Sequence, residues 1–135
     1  MNRRLITIID YERLLALKEL ALLTTEASEN VRKLYTELMH AHMLKPGYIS
    51  ENAITMNSRI LLRELHTGRQ IDLTITYPRD SNAMERRVSV FSEIGTALLG
   101  KLVGDRVSWK IKDREAHFEI LEVLYQPEAV GHFNL

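Results

Sequence analysis

The 135-residue chain contains no cysteine. That excludes a disulfide framework, a thiolate metal site and a cysteine nucleophile together. It has no net charge: 18 basic residues balance 18 acidic ones, seven of each sign up to Asn52 and eleven of each after it. Neither half is a basic block, so bulk phosphate-backbone binding is not expected, and a protein partner fits better. No run of apolar residues approaches a membrane span, and the opening MNRRLITIIDYERLL turns charged too early for a signal peptide. A soluble cytoplasmic protein is therefore expected. What is present is 45% hydrophobic residues, enough for one real core.

The N-terminal third has helical periodicity. Leu5–Ile9 reads as a short strand, and Asp10 as the N-cap of a helix whose apolar face is Tyr11, Leu14, Leu15, Lys18 and Leu22. Threonine and serine in LLTTEAS predict a turn. A second helix is predicted from Glu29 to Met43, with Val31, Leu34, Tyr35, Leu38, Met39 and His42 on one face. Together these predict a short antiparallel helical hairpin over residues 1–46. KPGYISEN then supplies a linker at 47–52, and a second unit runs from 53 to 135.

After Ala53 the period changes to two. AITMNSRILLREL, RQIDLTITY and ERRVSVFS are expected strands, and DRVSWKI with EAHFEILEVLY forms a hairpin around Lys112-Asp113-Arg114. A short helix, Ile94–Leu99, precedes that hairpin. The predicted class is α+β, with a mostly antiparallel sheet.

One stretch invites a catalytic reading. Gly95 to Lys101 spells G-x-x-x-x-G-K, one residue short of a phosphate-binding loop. Such a loop needs an open glycine-rich cradle, a Ser/Thr for magnesium and a following helix. Here residue 102 is leucine, Thr96–Leu99 is an apolar helical turn, and Gly104-Asp105 ends the segment. A short buried helix flanked by turn glycines is the better reading, and no nucleotide cofactor is expected. Histidines offer no metal site either. His40 and His42 diverge on a helix, while His66, His117 and His132 are scattered, so no metal is expected. Trp109 and Phe118 are expected in the core or as cross-strand partners.

Over a wider window, Ser89, Ser92, Ile94, Gly95, Ala97, Leu98, Leu99, Gly104 and Asp105 fall at the spacing of a Ser-x-x-Ser-Pro signature. The segment resembles the C-terminal signature of the bacterial Gre transcript-cleavage factors, with Glu93 where that family has proline. ITMNSR at Ile54–Arg59, TYP at Thr76–Pro78, GTALLGKLVGD and YQPEAVG at Tyr125–Gly131 resemble a short-armed branch, the regulator-of-nucleoside-diphosphate-kinase (Rnk) family. The likeness runs from the first helix to the C-terminus and is weak before Leu34.

The resemblance implies a helical hairpin, or coiled coil, joined to an FKBP-like C-terminal domain. It implies bacterial RNA polymerase as partner, met at the rim of the secondary channel through Ser92, Glu93 and Ile94, with competition against longer-armed factors. On residue chemistry alone, Ser92 is also a plain helix cap and Ile94 a core residue. Glu26, Glu29 and Asn30 fit the acidic arm-tip pattern of the cleavage factors, in which two carboxylates supply a magnesium ion to the polymerase. Glutamates in a first helical turn are also favoured simply by the helix dipole. The expected activity is regulatory, not enzymatic, with stimulation of transcript cleavage through Glu26 and Glu29 as the alternative.

Overall fold

The computed structural model describes residues 3–24 and 28–133. The chain opens with strand β1 (Leu5–Thr7), followed by helices α1 (Ile8–Ala16), α2 (Lys18–Thr24) and α3 (Ser28–Leu38). Strand β2 (His42–Leu44) runs parallel to β1, pairing Leu5 with His42 and Thr7 with Leu44. A second sheet contains β3 (Arg59–Glu64), β4 (Gln70–Thr76), β5 (Arg87–Ser89), β6 (Arg106–Ile111) and β7 (Arg114–Tyr125), in the order β5-β4-β3-β7-β6. Helix α4 (Glu93–Leu98) lies between β5 and β6 in sequence.

The result is a mixed α+β architecture with a curled sheet. Two register shifts between β3 and β7, after Arg59 and after Leu61, interrupt the ladder and increase local twist. Along the strands, side chains alternate as the period of two predicts. Ile60, Leu62, Leu73, Ile75, Trp109, Ala116, Phe118 and Ile120 are buried. On the opposite face, Arg59 and Arg86 both pair with Asp72, and Arg63 pairs with Glu119. The hydrogen bond from Arg59 holds the Asp72 carboxyl below the usual carboxylate range. Trp109 and Phe118 stack with centroids 4.1 Å apart and planes 11° from parallel. The core is continuous from Ile6 and Leu14 through Leu34 and Tyr35 to the sheet.

Several local expectations are corrected. Asp10 is not the cap of the first helix. Thr7 is, its hydroxyl accepting the Asp10 amide at 3.0 Å. The first helix also breaks at Leu17, because the Leu14 carbonyl accepts the Tyr35 hydroxyl and the Leu17 amide turns back to the same carbonyl in a tighter turn. The helix predicted to reach Met43 stops at Leu38. There the amides of His40 and Ala41 bond back only three residues, and that of His42 donates to the Arg4 carbonyl at 2.9 Å, drawing the chain into β2. Met39 and His42, expected on the buried face, are exposed as a consequence.

In the C-terminal unit, Ala53–Ser58 is not a strand: Ala53 forms an isolated antiparallel bridge with Leu102, and a turn at Met56-Asn57 leads into β3. The Ser58 hydroxyl accepts the Thr55 amide at 2.9 Å, and Asn57 takes φ 65°. β5 is short and runs parallel to β4, so the sheet is mixed at that edge. The hairpin of β6 and β7 forms as expected, with Lys112 in the left-handed region at its turn. Among the described residues, no helix is long and apolar enough to cross a membrane.

Candidate functional site

The turn from β5 into α4 is built by its two serines. The Ser89 hydroxyl accepts the Phe91 amide at 3.1 Å. The Ser92 hydroxyl donates to the Ser89 carbonyl at 2.7 Å and accepts the Gly95 amide at 3.0 Å. Ser92 is thus the N-cap of α4, satisfying an amide that the first helical turn leaves without a partner. Gly95 packs its backbone against β5: a Cβ there would overlap the Ser89 carbonyl oxygen and lie 2.7 Å from Val90 Cα. At the other end of the signature, the Asp105 carboxylate accepts the Leu102 amide at 2.9 Å and closes the turn after α4.

These contacts explain the resemblance to a phosphate loop as packing. Gly95 has no room for a ligand. Gly100, at φ 80°, passes so close to the N-terminal segment that a Cβ would lie 2.8 Å from both Arg4 Cβ and the Leu5 carbonyl oxygen. Lys101 is only partly exposed, and its amine is pushed down by burial and by the Arg4 charge. Among the described residues, no group of three or more metal-ligating side chains converges.

Ser92, Glu93 and Ile94 therefore share one rigid helix entrance but face different surroundings. Ser92 is half-buried by its capping contacts. Ile94 is half-buried and packs against the core. Glu93 is exposed, and its Oε1 accepts the Lys110 amide at 3.2 Å on the open edge of β6. Where a proline would rigidify the entrance through its ring, Glu93 ties it to the neighbouring strand. Glu29 is exposed in the first turn of α3. Glu26 lies outside the described residues.

Beside this entrance is a cleft of about 920 Å³. Leu17, Leu20 and Ala21 of the N-terminal helices face Tyr77, Pro78, Phe91 and Ser92 across it, with Arg13, Arg79 and Asp80 at its walls. Leu20 is 62% exposed. Behind the cleft lies a group that periodicity did not reveal as special. Asp10 is 2% exposed, and its carboxylate accepts the Met56 amide at 3.1 Å and the Tyr77 hydroxyl at 3.4 Å. Burial pushes its pKa up to about 7; the Met56 amide opposes this, and the Glu128 charge adds to it. Tyr77 is pushed up as well, by burial and then by Asp10. The available signal was a charged residue directly after the apolar run Leu5–Ile9, which admits a cap and an interior acid equally.

Residues 49–125 match the family model described as the C-terminal domain of transcription elongation factor GreA/GreB. The chain is 39% identical over 103 residues to the regulator of nucleoside diphosphate kinase of Escherichia coli, covering 76% of each protein. The chain belongs to the GreA/GreB family. It is 28% identical to the transcription elongation factor GreA of Syntrophus aciditrophicus across 74% of this chain and 62% of that protein. A solved GreA/GreB elongation factor from Nitrosomonas europaea superposes with a TM-score of 0.79 at 30% identity, over 93% of this chain and all of that one. GreA factor homolog 1 of Thermus thermophilus, at 19% identity and TM-score 0.51 over 92% of this chain and all of that one, shares the fold. The GreA/GreB match includes the whole β5–α4 entrance, so both serines and the packed glycine belong to the part of the chain on which membership rests.

Proposed function

We propose that this chain is a non-enzymatic regulator of transcription that binds bacterial RNA polymerase and occupies the rim of its secondary channel, in competition with longer-armed relatives. In this reading residues 1–46 are a helical hairpin, 47–52 a linker and 53–135 an FKBP-like docking domain, with Ser92, Glu93 and Ile94 at the contact edge. The observation that carries it is the cleft beside a helix entrance capped by Ser92 and braced by Ser89. An apolar floor with polar walls suits a protein segment, and the hydrogen-bonded turn holds the contact edge in place before binding.

Occlusion is favoured over assisted cleavage by the size of the helices. α2 has 7 residues and α3 has 11, so α3 extends roughly 16 Å at ~1.5 Å per residue. The Gre cleavage factors that this chain resembles use about twice as many turns to bring their acidic tip to the catalytic magnesium. Glu29 then acts as a surface acid in the first turn of α3.

The test is capture of core polymerase by the full chain at micromolar concentration, alongside Leu20→Glu. Leu20 faces the cleft and is largely exposed, so the variant should fold. It should bind about tenfold more weakly, as expected when a charge enters an apolar contact. Backtracked elongation complexes should keep their RNA length when the wild-type protein is added. Absence of wild-type binding overturns the docking reading. Release of short RNA that Glu26→Ala with Glu29→Ala abolishes would establish the cleavage reading instead.

A further inference from the structure

Asp10 belongs to α1, yet both oxygens of its carboxylate reach the C-terminal unit. One accepts the amide of Met56 in the turn before β3, and the other the hydroxyl of Tyr77 just after β4. Its own amide is fixed by the Thr7 hydroxyl. The charged and titratable groups around it are few. Arg13 lies one turn further along α1 and acts on both Asp10 and Tyr77, and Glu128 approaches from the C-terminal 3-10 turn Glu128–Val130. Glu128 is itself held in place, accepting the Thr55 hydroxyl at 2.7 Å. A second, half-buried carboxylate is thus anchored where its charge acts on the buried Asp10.

We propose that Asp10 is a titratable latch between the N-terminal helices and the C-terminal unit, and that its hold strengthens when the carboxyl takes up a proton. The inference concerns the two parts of this chain and is independent of any docking partner. A neutral carboxyl keeps an acceptor for the Met56 amide and gains a donor for the Tyr77 oxygen. It also ends the repulsion from Glu128. The ionised form must be buried beside that second acid, and the Met56 amide, the long Tyr77 contact, the Thr7 hydroxyl and the Arg13 charge together offset less than burial costs it.

The sign follows from linkage. Burial raises the docked carboxyl from 3.8 to about 7, so docking takes up a proton. The stabilisation is full below about pH 4, declines as pH rises, and is lost above about pH 7. Between pH 8 and pH 6 the docked form should gain about tenfold over an undocked one through this group alone.

Amide hydrogen exchange at pH 6 and pH 8, expressed as protection factors, tests this on the full chain. Protection at Met56 and along α1 should fall about tenfold at the higher pH, while β3 and β7 keep theirs. Asp10→Asn should remove the difference, and exposed histidines cannot mimic that outcome because they remain in the variant. Equal loss across β3 and β7 would make Asp10 a contributor to global stability and not a latch, overturning the proposal. So would an unchanged pH dependence in Asp10→Asn. Should that variant fail to fold, the carboxyl carbon resonance of Asp10 in the wild-type protein decides. A midpoint near 7 that falls in Glu128→Gln supports the latch, and a midpoint below 5 refutes it.

Discussion

Gly95→Ala sets two physical effects against each other. In an exposed helix the change stabilises by about 1 kcal/mol, because alanine loses less backbone freedom. Here the added Cβ would meet the Ser89 carbonyl oxygen and lie 2.7 Å from Val90 Cα, where ordinary van der Waals contact begins at 3.4 Å. Both obstacles are backbone atoms of the segment leading into α4, so no side chain can rotate aside. The helix must move away by the better part of an ångström, which strains the Ser92 hydroxyl's bond to the Gly95 amide. Overpacking of this kind costs roughly 1–3 kcal/mol. A strained cap costs about 1 kcal/mol, which offsets the propensity gain of about the same size, so the net destabilisation is about 1–3 kcal/mol. Urea unfolding followed by the fluorescence of Trp109, the single tryptophan, measures it. Gly47→Ala is the control, since nothing lies within 4 Å of its Cβ position, and it should shift stability by less than about 0.5 kcal/mol. A Gly95→Ala protein as stable as the wild type would refute the packing explanation of this glycine and reopen it to a ligand-binding reading.

Arg4→Ala should cost about 2–4 kcal/mol in the same unfolding assay, because a buried guanidinium bonds both Glu37 at 2.9 Å and the Leu99 carbonyl at 2.8 Å, and both would lose their partner. Phe118→Ala should cost about 3–5 kcal/mol and shift the Trp109 emission to the red, since it removes the ring stacked on that indole. Glu93→Ala should speed exchange of the Lys110 amide severalfold while changing stability by less than about 1 kcal/mol, the bond being exposed. Glu93→Gln should keep most of that protection, as an amide oxygen still accepts.

The parts of the fold legible in the sequence are those whose signals are local. β6 and β7 alternate with period two around a compact turn, and α4 has a serine cap at its start, so both were placed to within a residue or two. What escaped depends on partners distant in sequence. Nothing near Leu17 announces a helix break, because the tyrosine that takes the Leu14 carbonyl is residue 35. Nothing near His42 announces a strand, because its pairing partner is Leu5. Residues 92–94 lie at one helix entrance, but their separate surroundings follow from the approach of β6 and the core, which periodicity does not encode. Asp10 was visible as an acid at a helix start; its burial follows from Met56 and Tyr77, 46 and 67 residues away.

Three of the four segments that resemble the short-armed branch acquire a common explanation in three dimensions. ITMNSR supplies the Thr55–Ser58 turn, whose Met56 amide meets Asp10. TYP supplies the Tyr77 hydroxyl to the same carboxylate. YQPEAVG supplies Gln126, which donates to the Ser50 and Ala53 carbonyls at 2.7 and 2.8 Å, and Glu128, which accepts from Thr55. Three motifs, with bonded residues as far as 73 positions apart, therefore close around one buried acid on α1 and fix the segment that leads into β3. A motif that marks a branch need not touch the partner or carry chemistry. Here the motifs fix how the N-terminal helices sit on the C-terminal unit, and hence the width of the cleft between them. If the branch differs from longer-armed relatives in what it does once bound, substitutions at Thr55, Tyr77 and Glu128 should alter that behaviour through the helices' position, while leaving the Ser89–Gly95 entrance intact.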